Sequence, residues 1–198
     1  MENISLQEAL DMAGNYATMN NAHPFSSLWA FHFHNDSETW CVAARLATAP
    51  LAPSNIPLEN LSLDPEKEYL VFDFWKQQFI GIVKDTLNVG ALDLGSCQII
   101  GLRQVIGRPQ FLGSSRHVSM DCVSVRSSSW SQNSLELILS GIPGTTETYW
   151  IYKPNAYCLH SSTCEGGHLS LEQCGEIVRC NIRFDGKESR VVLSFNMT

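Results

Sequence analysis

The feature that most constrains this chain is a two-residue alternation of side chains that recurs in one short segment after another. Three such segments are SLWAFHF (27–33), EYLVFDFW (68–75) and SLELILSG (134–141), which are rich in aromatic and branched residues. A period of two is typical of β-strands, because successive side chains point to opposite faces. All segments of this kind together predict eleven or twelve short strands, which indicates an all-β protein rather than an α/β protein.

The strand pattern is interrupted about halfway, at GRP (107–109). Eleven strands are more than one compact sandwich usually needs, so we expect two β-domains, over residues 23–106 and 107–198. Residues 1–22 carry the one good helical signal, in which Ser5 and Glu8 form a capping box. The predicted fold is therefore two antiparallel β-sandwiches in tandem, preceded by a short N-terminal helix.

The charge balance excludes several classes of partner. Lys and Arg number 13 against 20 Asp and Glu, which gives a formal net charge of −7. Because phosphate binding depends on clustered Lys and Arg, neither nucleic acid nor an anionic membrane surface is an expected partner. The sequence also has no apolar run of about 18 residues that would predict a membrane-spanning helix.

Cysteine usage bears on the compartment. The chain has seven cysteines, an odd number, and no C-x2-C pair. This pattern favours reduced thiols in a cytoplasmic protein over a disulfide framework or a zinc site. The N-terminus shows no secretory signal, although a signal located upstream of Met1 would make the protein secreted. No cofactor is expected.

The stretch FHFHNDSE (31–38) has the ligand spacing of the first metal motif of a cupin barrel. With NDSE as the turn, His32 pairs with Cys41, and His32, His34 and Cys41 share one face of a hairpin. The rest of the cupin pattern is missing, because Ser26 and Arg45 stand where glycines are needed. The favoured interpretation is a solvated or inter-domain strand face. A small metalloenzyme centred on His32 and His34 stays an alternative.

Two other groups could carry chemistry. GSSRH (113–117) brings Ser114 and Ser115 close to His117 in sequence, but no G-x-S-x-G elbow is present, and a polar strand edge or turn is the favoured interpretation. Asp73 is the one acid within an apolar strand. A lone buried acid of this kind is more often a hydrogen-bonded structural group than a catalyst.

Aromatic side chains could form a platform for a sugar. Tyr69 and Trp75 share one face of the strand predicted over 68–75, and Trp150 lies in the cluster TYWIY. Core packing is the favoured interpretation of these rings. Weak glycan binding by Tyr69, Trp75 and Trp150 stays open.

Several of these segments resemble the C-terminal β-sandwich region of bacterial glycoside hydrolases of the melibiase (α-galactosidase) type. The resemblance covers residues 25–120 best. It rests on YLVFDFW (69–75), the following FIG (79–81), the strand that contains Cys97 and ends at Leu102-Arg103, GRPQ (107–110) and GSSRH (113–117). These motifs carry the fold of that region, and none of them is catalytic.

The resemblance implies a non-catalytic accessory region that supports a catalytic barrel and possesses at most weak glycan affinity. The catalytic aspartates of the family lie on a (β/α)8 barrel of about 250 residues, for which this chain has no room. The expected partners are therefore the barrel domain of a parent enzyme, or a glycan. A free-standing carbohydrate-binding module is the second hypothesis, and the metalloenzyme is the third.

Overall fold

The computed structural model describes residues 27–34 and 38–198, which fold almost entirely as antiparallel β-strands. The prediction of an all-β protein is confirmed. The chain forms two compact units, one from residues 27–34 and 39–104 and the other from residues 38 and 105–198. The helix predicted within residues 1–22 lies outside the described residues. The exact boundary predicted between residues 106 and 107 stays a prediction.

The first unit is built on one five-stranded antiparallel sheet. Its strands are β1 (Leu28–His34), β2 (Thr39–Leu46), β3 (Ser54–Pro57), β4 (Glu68–Asp73), β5 (Gln78–Lys84), β6 (Thr86–Val89) and β7 (Cys97–Gln104). The large sheet has the order β1-β2-β7-β4-β5, while β3 and β6 pair separately as a two-stranded ribbon. A short 3-10 helix, Leu58–Leu61, follows β3.

The inner face of the five-stranded sheet packs on the ribbon and the 3-10 helix. Leu58 and Leu61 of that helix are fully buried, as is Leu102 on β7. This core has the following buried members: Leu28, Ala30, Cys41, Ala43, Ile56, Leu58, Leu61, Tyr69, Val71, Leu87, Val89, Ile100 and Leu102. Burial of a leucine of this kind stabilises the fold by about 1.5–3 kcal/mol.

The outer face of the same sheet, opposite to that core, is also apolar. Residues that alternate with the core members point to it. One row of directly paired residues crosses all five strands: Phe33, Trp40, Arg103, Leu70 and Ile82. The Phe33 and Trp40 rings stack at 5.7 Å, and the Arg103 guanidinium lies 4.3 Å from the centre of the Trp40 ring. The sheet is therefore apolar on both sides.

The second unit is a sandwich of two four-stranded sheets. Its strands are β8 (Gln110–Ser114), β9 (Val125–Ser131), β10 (Ser134–Ser140), β11 (Thr146–Tyr152), β12 (Tyr157–Glu165), β13 (Gly167–Cys174), β14 (Ile177–Phe184) and β15 (Glu188–Met197). One sheet has the order β12-β15-β10-β9, and the other has the order β13-β14-β11-β8. Both sheets contribute side chains to one core.

Strands β10 and β15 of the second unit alternate between buried and accessible residues, whereas β8 and β11 of the facing sheet carry runs of consecutive buried residues. On β10, Leu135, Leu137 and Leu139 are buried, whereas the residues between them are partly exposed. The facing sheet supplies Tyr149 and Phe184, both fully buried, to the same core. The alternation on β10 and β15 is typical of a sheet that is covered on one face only.

Candidate functional site

The hairpin of β1 and β2 has the register that the sequence predicts. His32 pairs with Cys41 and Phe33 with Trp40. His32 and Cys41 therefore share one face of the sheet, but that face is the inner one, since Ala30 and Cys41 belong to the core. The interpretation of this face as solvated or inter-domain is thus corrected. The small residues Ala30 and Cys41 leave the space that the ribbon and 3-10 helix fill.

The surroundings of His32, His34 and Cys41 do not form a ligand set. Cys41 is fully buried, and burial raises the pKa of its thiol to about 12, which keeps it neutral. His32 Nε2 lies 2.8 Å from the carbonyl oxygen of Leu61, so the ring is tied to the 3-10 helix. His34 is exposed. Within residues 27–34 and 38–198, no group of three His, Cys, Asp or Glu side chains could hold a metal ion.

The three aromatic residues proposed for glycan binding have different environments. Tyr69 is 5% exposed, and its hydroxyl accepts a hydrogen bond from the Asp64 N–H at 3.1 Å. Trp150 is 3% exposed. Neither ring therefore presents a face to a sugar. Trp75 is 56% exposed, with its indole edge-to-face against Phe74 at 5.0 Å.

Trp75 and Tyr69 do not share a strand face, because the strand is shorter than predicted. β4 ends at Asp73, and Trp75 lies in the turn that follows. The turn forms there because Asp73 Oδ1 accepts a hydrogen bond from the Lys76 N–H at 3.0 Å, and Gln77 adopts a φ of 50°. An aspartate that binds the backbone three residues later favours a turn over continued strand.

Asp73 belongs to a buried polar network that sequence reasoning did not find. Asp73 is 1% exposed, and its Oδ2 accepts a hydrogen bond from Gln98 Nε2 at 3.0 Å. The other end of the same amide, Gln98 Oε1, accepts from Arg45 Nη1 at 2.8 Å. Arg45 and Gln98 are direct cross-strand partners on β2 and β7. The two charged groups are thus linked through one neutral amide.

Arg45 lines a cavity of about 410 Å³ in the first unit. Leu28, Leu51 and Ile56 provide apolar walls, and Ser27 and Ser54 add hydroxyl groups. Sequence reasoning treated Arg45 only as a departure from the cupin pattern. The signal that could have found it is a basic residue at an inward position of a strand that is otherwise apolar.

The segment GSSRH lies where β8 ends in the second unit. Ser114 Oγ accepts a hydrogen bond from the Arg116 N–H at 3.2 Å, and Ser115 Oγ accepts from the Thr148 N–H at 3.0 Å. His117 Nδ1 instead lies 2.7 Å from the hydroxyl of Ser119. Each of the three side chains therefore forms its hydrogen bond with a different neighbour, and neither Ser114 nor Ser115 is hydrogen-bonded to His117.

The loop after His117 contains two consecutive residues with left-handed backbone. Met120 has a φ of 52° and Asp121 a φ of 74°, and both side chains are buried. Asp121 Oδ1 accepts hydrogen bonds from the backbone and hydroxyl of Ser124. These bonds fix the loop in a conformation that residues other than glycine rarely adopt.

Comparison with models of known protein families gives no match, and comparison with curated proteins finds no relative. Among the described residues, no helix is long and apolar enough to cross a membrane.

Proposed function

We propose that the chain is a non-catalytic accessory region of a melibiase-type glycoside hydrolase, which packs against and supports a catalytic barrel. The sequence motifs that suggest this family lie on structural elements: YLVFD on β4, FIG on β5 and CQIIGLR on β7. The seven cysteines are all free thiols, which fits the cytoplasmic location that we propose with this function.

The observation that carries the proposal is the exposed apolar margin of the outer face of the five-stranded sheet. Leu70 and Phe72 at the centre of that face are fully buried. At the β5 end, however, Trp75, Ile80 and Ile82 are 56%, 52% and 42% exposed. All three belong to the β4–β5 hairpin. A cluster of exposed large apolar side chains is typical of a surface that another protein covers.

The position of β5 strengthens this interpretation. β5 is an edge strand of the sheet, and a bulge between Val71 and Phe72 leaves Ile80 without a cross-strand partner. An uncovered edge strand with exposed isoleucines promotes aggregation unless a partner covers it. A catalytic barrel seated on the hairpin would cover Trp75, Ile80 and Ile82 together.

Binding to a separately expressed catalytic barrel of a melibiase-type enzyme tests the docking proposal. The variant Trp75→Ser/Ile80→Thr/Ile82→Thr should bind at least about tenfold more weakly in calorimetry, because central apolar residues dominate interface energies. The matched control is Leu94→Ser/Ile142→Ser, which removes two exposed apolar residues elsewhere and should bind normally. Equal loss in both variants would contradict docking at the hairpin.

A hydrolysis assay tests the non-catalytic part of the proposal. The purified chain should not cleave an aryl α-galactoside. Turnover that is abolished by substitution of an acid in this chain, such as Asp73→Asn, would overturn it. Sequencing of the genomic reading frame upstream of the Met1 codon adds an independent test, since the proposal expects an in-frame barrel there.

Weak glycan binding is the second candidate, and the exposed indole of Trp75 favours it. A single accessible ring can stack on one sugar face. Trp75→Phe should then retain affinity for a galactose-containing oligosaccharide, whereas Trp75→Ser should lose it. Identical affinities of these two variants would remove this candidate.

A further inference from the structure

The cavity beside Arg45 has an unusual combination of apolar walls and one buried cation. Leu28, Leu51 and Ile56 contribute hydrocarbon surface, while Arg45 is 4% exposed. A volume of about 410 Å³ lies in the range of small-molecule sites, which measure about 300–1,000 Å³. A cavity of this kind suits a ligand with an apolar body and one anionic group.

The hydrogen bonds of Arg45 use only one end of its guanidinium group. Nη1 donates to the Gly90 carbonyl oxygen at 3.0 Å and to Gln98 Oε1 at 2.8 Å. Nε and Nη2 donate to no residue that the structure describes. These two nitrogens form the edge of a guanidinium that receives a carboxylate through two parallel hydrogen bonds.

Arg45 also has no direct counter-ion among residues 27–34 and 38–198, since both of its acceptors are neutral. Asp73 is the acid connected to it, but the Gln98 amide stands between them, and Asp73 also faces Lys76 Nζ at 3.9 Å. Burial lowers the pKa of Arg45, although an arginine remains charged near neutral pH. A buried charge without an adjacent opposite charge is costly, and an anionic ligand would reduce that cost.

We propose that this cavity is a binding site for a small organic carboxylate, held by the Nε and Nη2 edge of Arg45 with its apolar body against Leu28, Leu51 and Ile56. Ser27 and Ser54 supply hydroxyls at the cavity wall. This site is independent of the docking proposal, because it uses none of the hairpin residues.

Titration of the full chain with sodium benzoate, followed by NMR, tests the site. Benzoate should give saturable shifts of the Arg45 Nε–H signal and of the Ser54 and Gly90 amides. Benzamide, its neutral analogue, and sulfate, an anion without an apolar body, should each bind at least about tenfold more weakly. Benzamide or sulfate that binds as tightly as benzoate would overturn the proposal, as would the absence of saturable shifts.

Three variants assign the binding to the cavity. Arg45→Lys keeps the charge but loses the two-nitrogen edge, and should weaken benzoate binding at least about tenfold. Ala52→Phe narrows the cavity from an exposed position and should also weaken binding, which keeps the test valid if Arg45→Lys does not fold. Arg126→Gln removes an exposed arginine of the second unit and should leave binding unchanged. Unchanged affinity in both cavity variants would contradict the site.

Discussion

The five-stranded sheet of the first unit and the β12-β15-β10-β9 sheet of the second unit bury their apolar side chains in different ways. In the β12-β15-β10-β9 sheet, only one face contributes to the core, so that Leu137 on β10 is buried while Ile138 beside it is partly exposed. In the five-stranded sheet, Leu70 and Val71 are consecutive and both are buried. A sheet that is apolar on both faces needs a layer on each side. The centre of the five-stranded sheet is therefore buried on both faces, whereas the β12-β15-β10-β9 sheet has one accessible face. Strands β8 and β11 of the second unit resemble the five-stranded sheet, because consecutive residues on them are buried.

The largest expected effect comes from removal of a buried ring on either type of sheet. Phe72→Ala on the outer face of β4 should lower the free energy of unfolding by about 3–5 kcal/mol, as much as Phe184→Ala in the sandwich core. Both side chains are fully buried. Urea denaturation measures both changes. If Phe72→Ala lowers the free energy of unfolding by less than about 1 kcal/mol while Phe184→Ala has the expected effect, the outer face does not stabilise the fold as a core does.

The next largest effect on stability is expected from the substitution of buried polar groups, and it should differ between the two units. Gln98→Leu removes a partner of both Arg45 and Asp73 and should cost about 1–3 kcal/mol. In the second unit, the Tyr149 hydroxyl is buried without a hydrogen-bond partner of standard geometry within the described residues. Tyr149→Phe should therefore not destabilise the protein, since an unpaired buried hydroxyl itself costs free energy. Thermal unfolding of both variants checks the contrast, and a larger loss in Tyr149→Phe would contradict it.

Alkaline pH should weaken both units through one buried thiol in each. Burial raises the pKa of Cys41 and of Cys180 to about 12. Above the ordinary thiol pKa the unfolded chain releases a proton that the folded chain keeps, so stability falls between about pH 9 and pH 12. The fall is about 1.4 kcal/mol per pH unit for each thiol.

Urea denaturation at pH 8, 9 and 10 measures this loss. Cys41→Ala and Cys180→Ala should each show a shallower decline than the unmodified protein, and the exposed control Cys158→Ala should not. If the free energy of unfolding falls equally with pH in all four proteins, the alkaline loss of stability does not come from the buried thiols.

The smallest expected effect on stability is at the proposed docking hairpin. The variant Trp75→Ser/Ile80→Thr/Ile82→Thr should change the free energy of unfolding by less than about 1 kcal/mol, because these side chains are exposed and threonine is well tolerated in strands. Calorimetric unfolding checks this value. A loss of several kcal/mol would indicate that the hairpin residues are needed for the fold rather than for a partner.

Much of the fold could be predicted from alternation and turn chemistry. The register of His32 with Cys41 follows from NDSE as the turn, and the sequence predicts strands at positions where β4, β7, β10 and β15 are observed. Alternation could not tell which face of β1 is internal. The favoured interpretation from sequence is that the face of His32 and Cys41 is solvated or inter-domain, whereas Ala30 and Cys41 on that face belong to the core. Such a prediction depends on a difference in polarity between the two faces of a strand, and a sheet that is apolar on both faces does not have this difference.

The sequence does not predict the polar network of Arg45, Gln98 and Asp73 or the cavity beside Arg45. Arg45 and Gln98 are far apart in sequence, and they meet because β7 inserts between β2 and β4. Strand order of this kind depends on long-range packing, which a local pattern does not specify. The sequence favours Asp73 as a hydrogen-bonded structural acid, but it does not predict the partner of Asp73, because Gln98 lies on that inserted strand.

Four alanine substitutions test most directly whether the first sheet is a two-faced layer. Leu70→Ala on its outer face, Leu102→Ala on its inner face and Leu137→Ala in the sandwich core should each cost about 2–5 kcal/mol in urea denaturation, since all three leucines are buried. Ile138→Ala, on the accessible face of the sandwich, should cost less than about 1 kcal/mol. A cost for Leu70→Ala as small as that for Ile138→Ala would contradict the account.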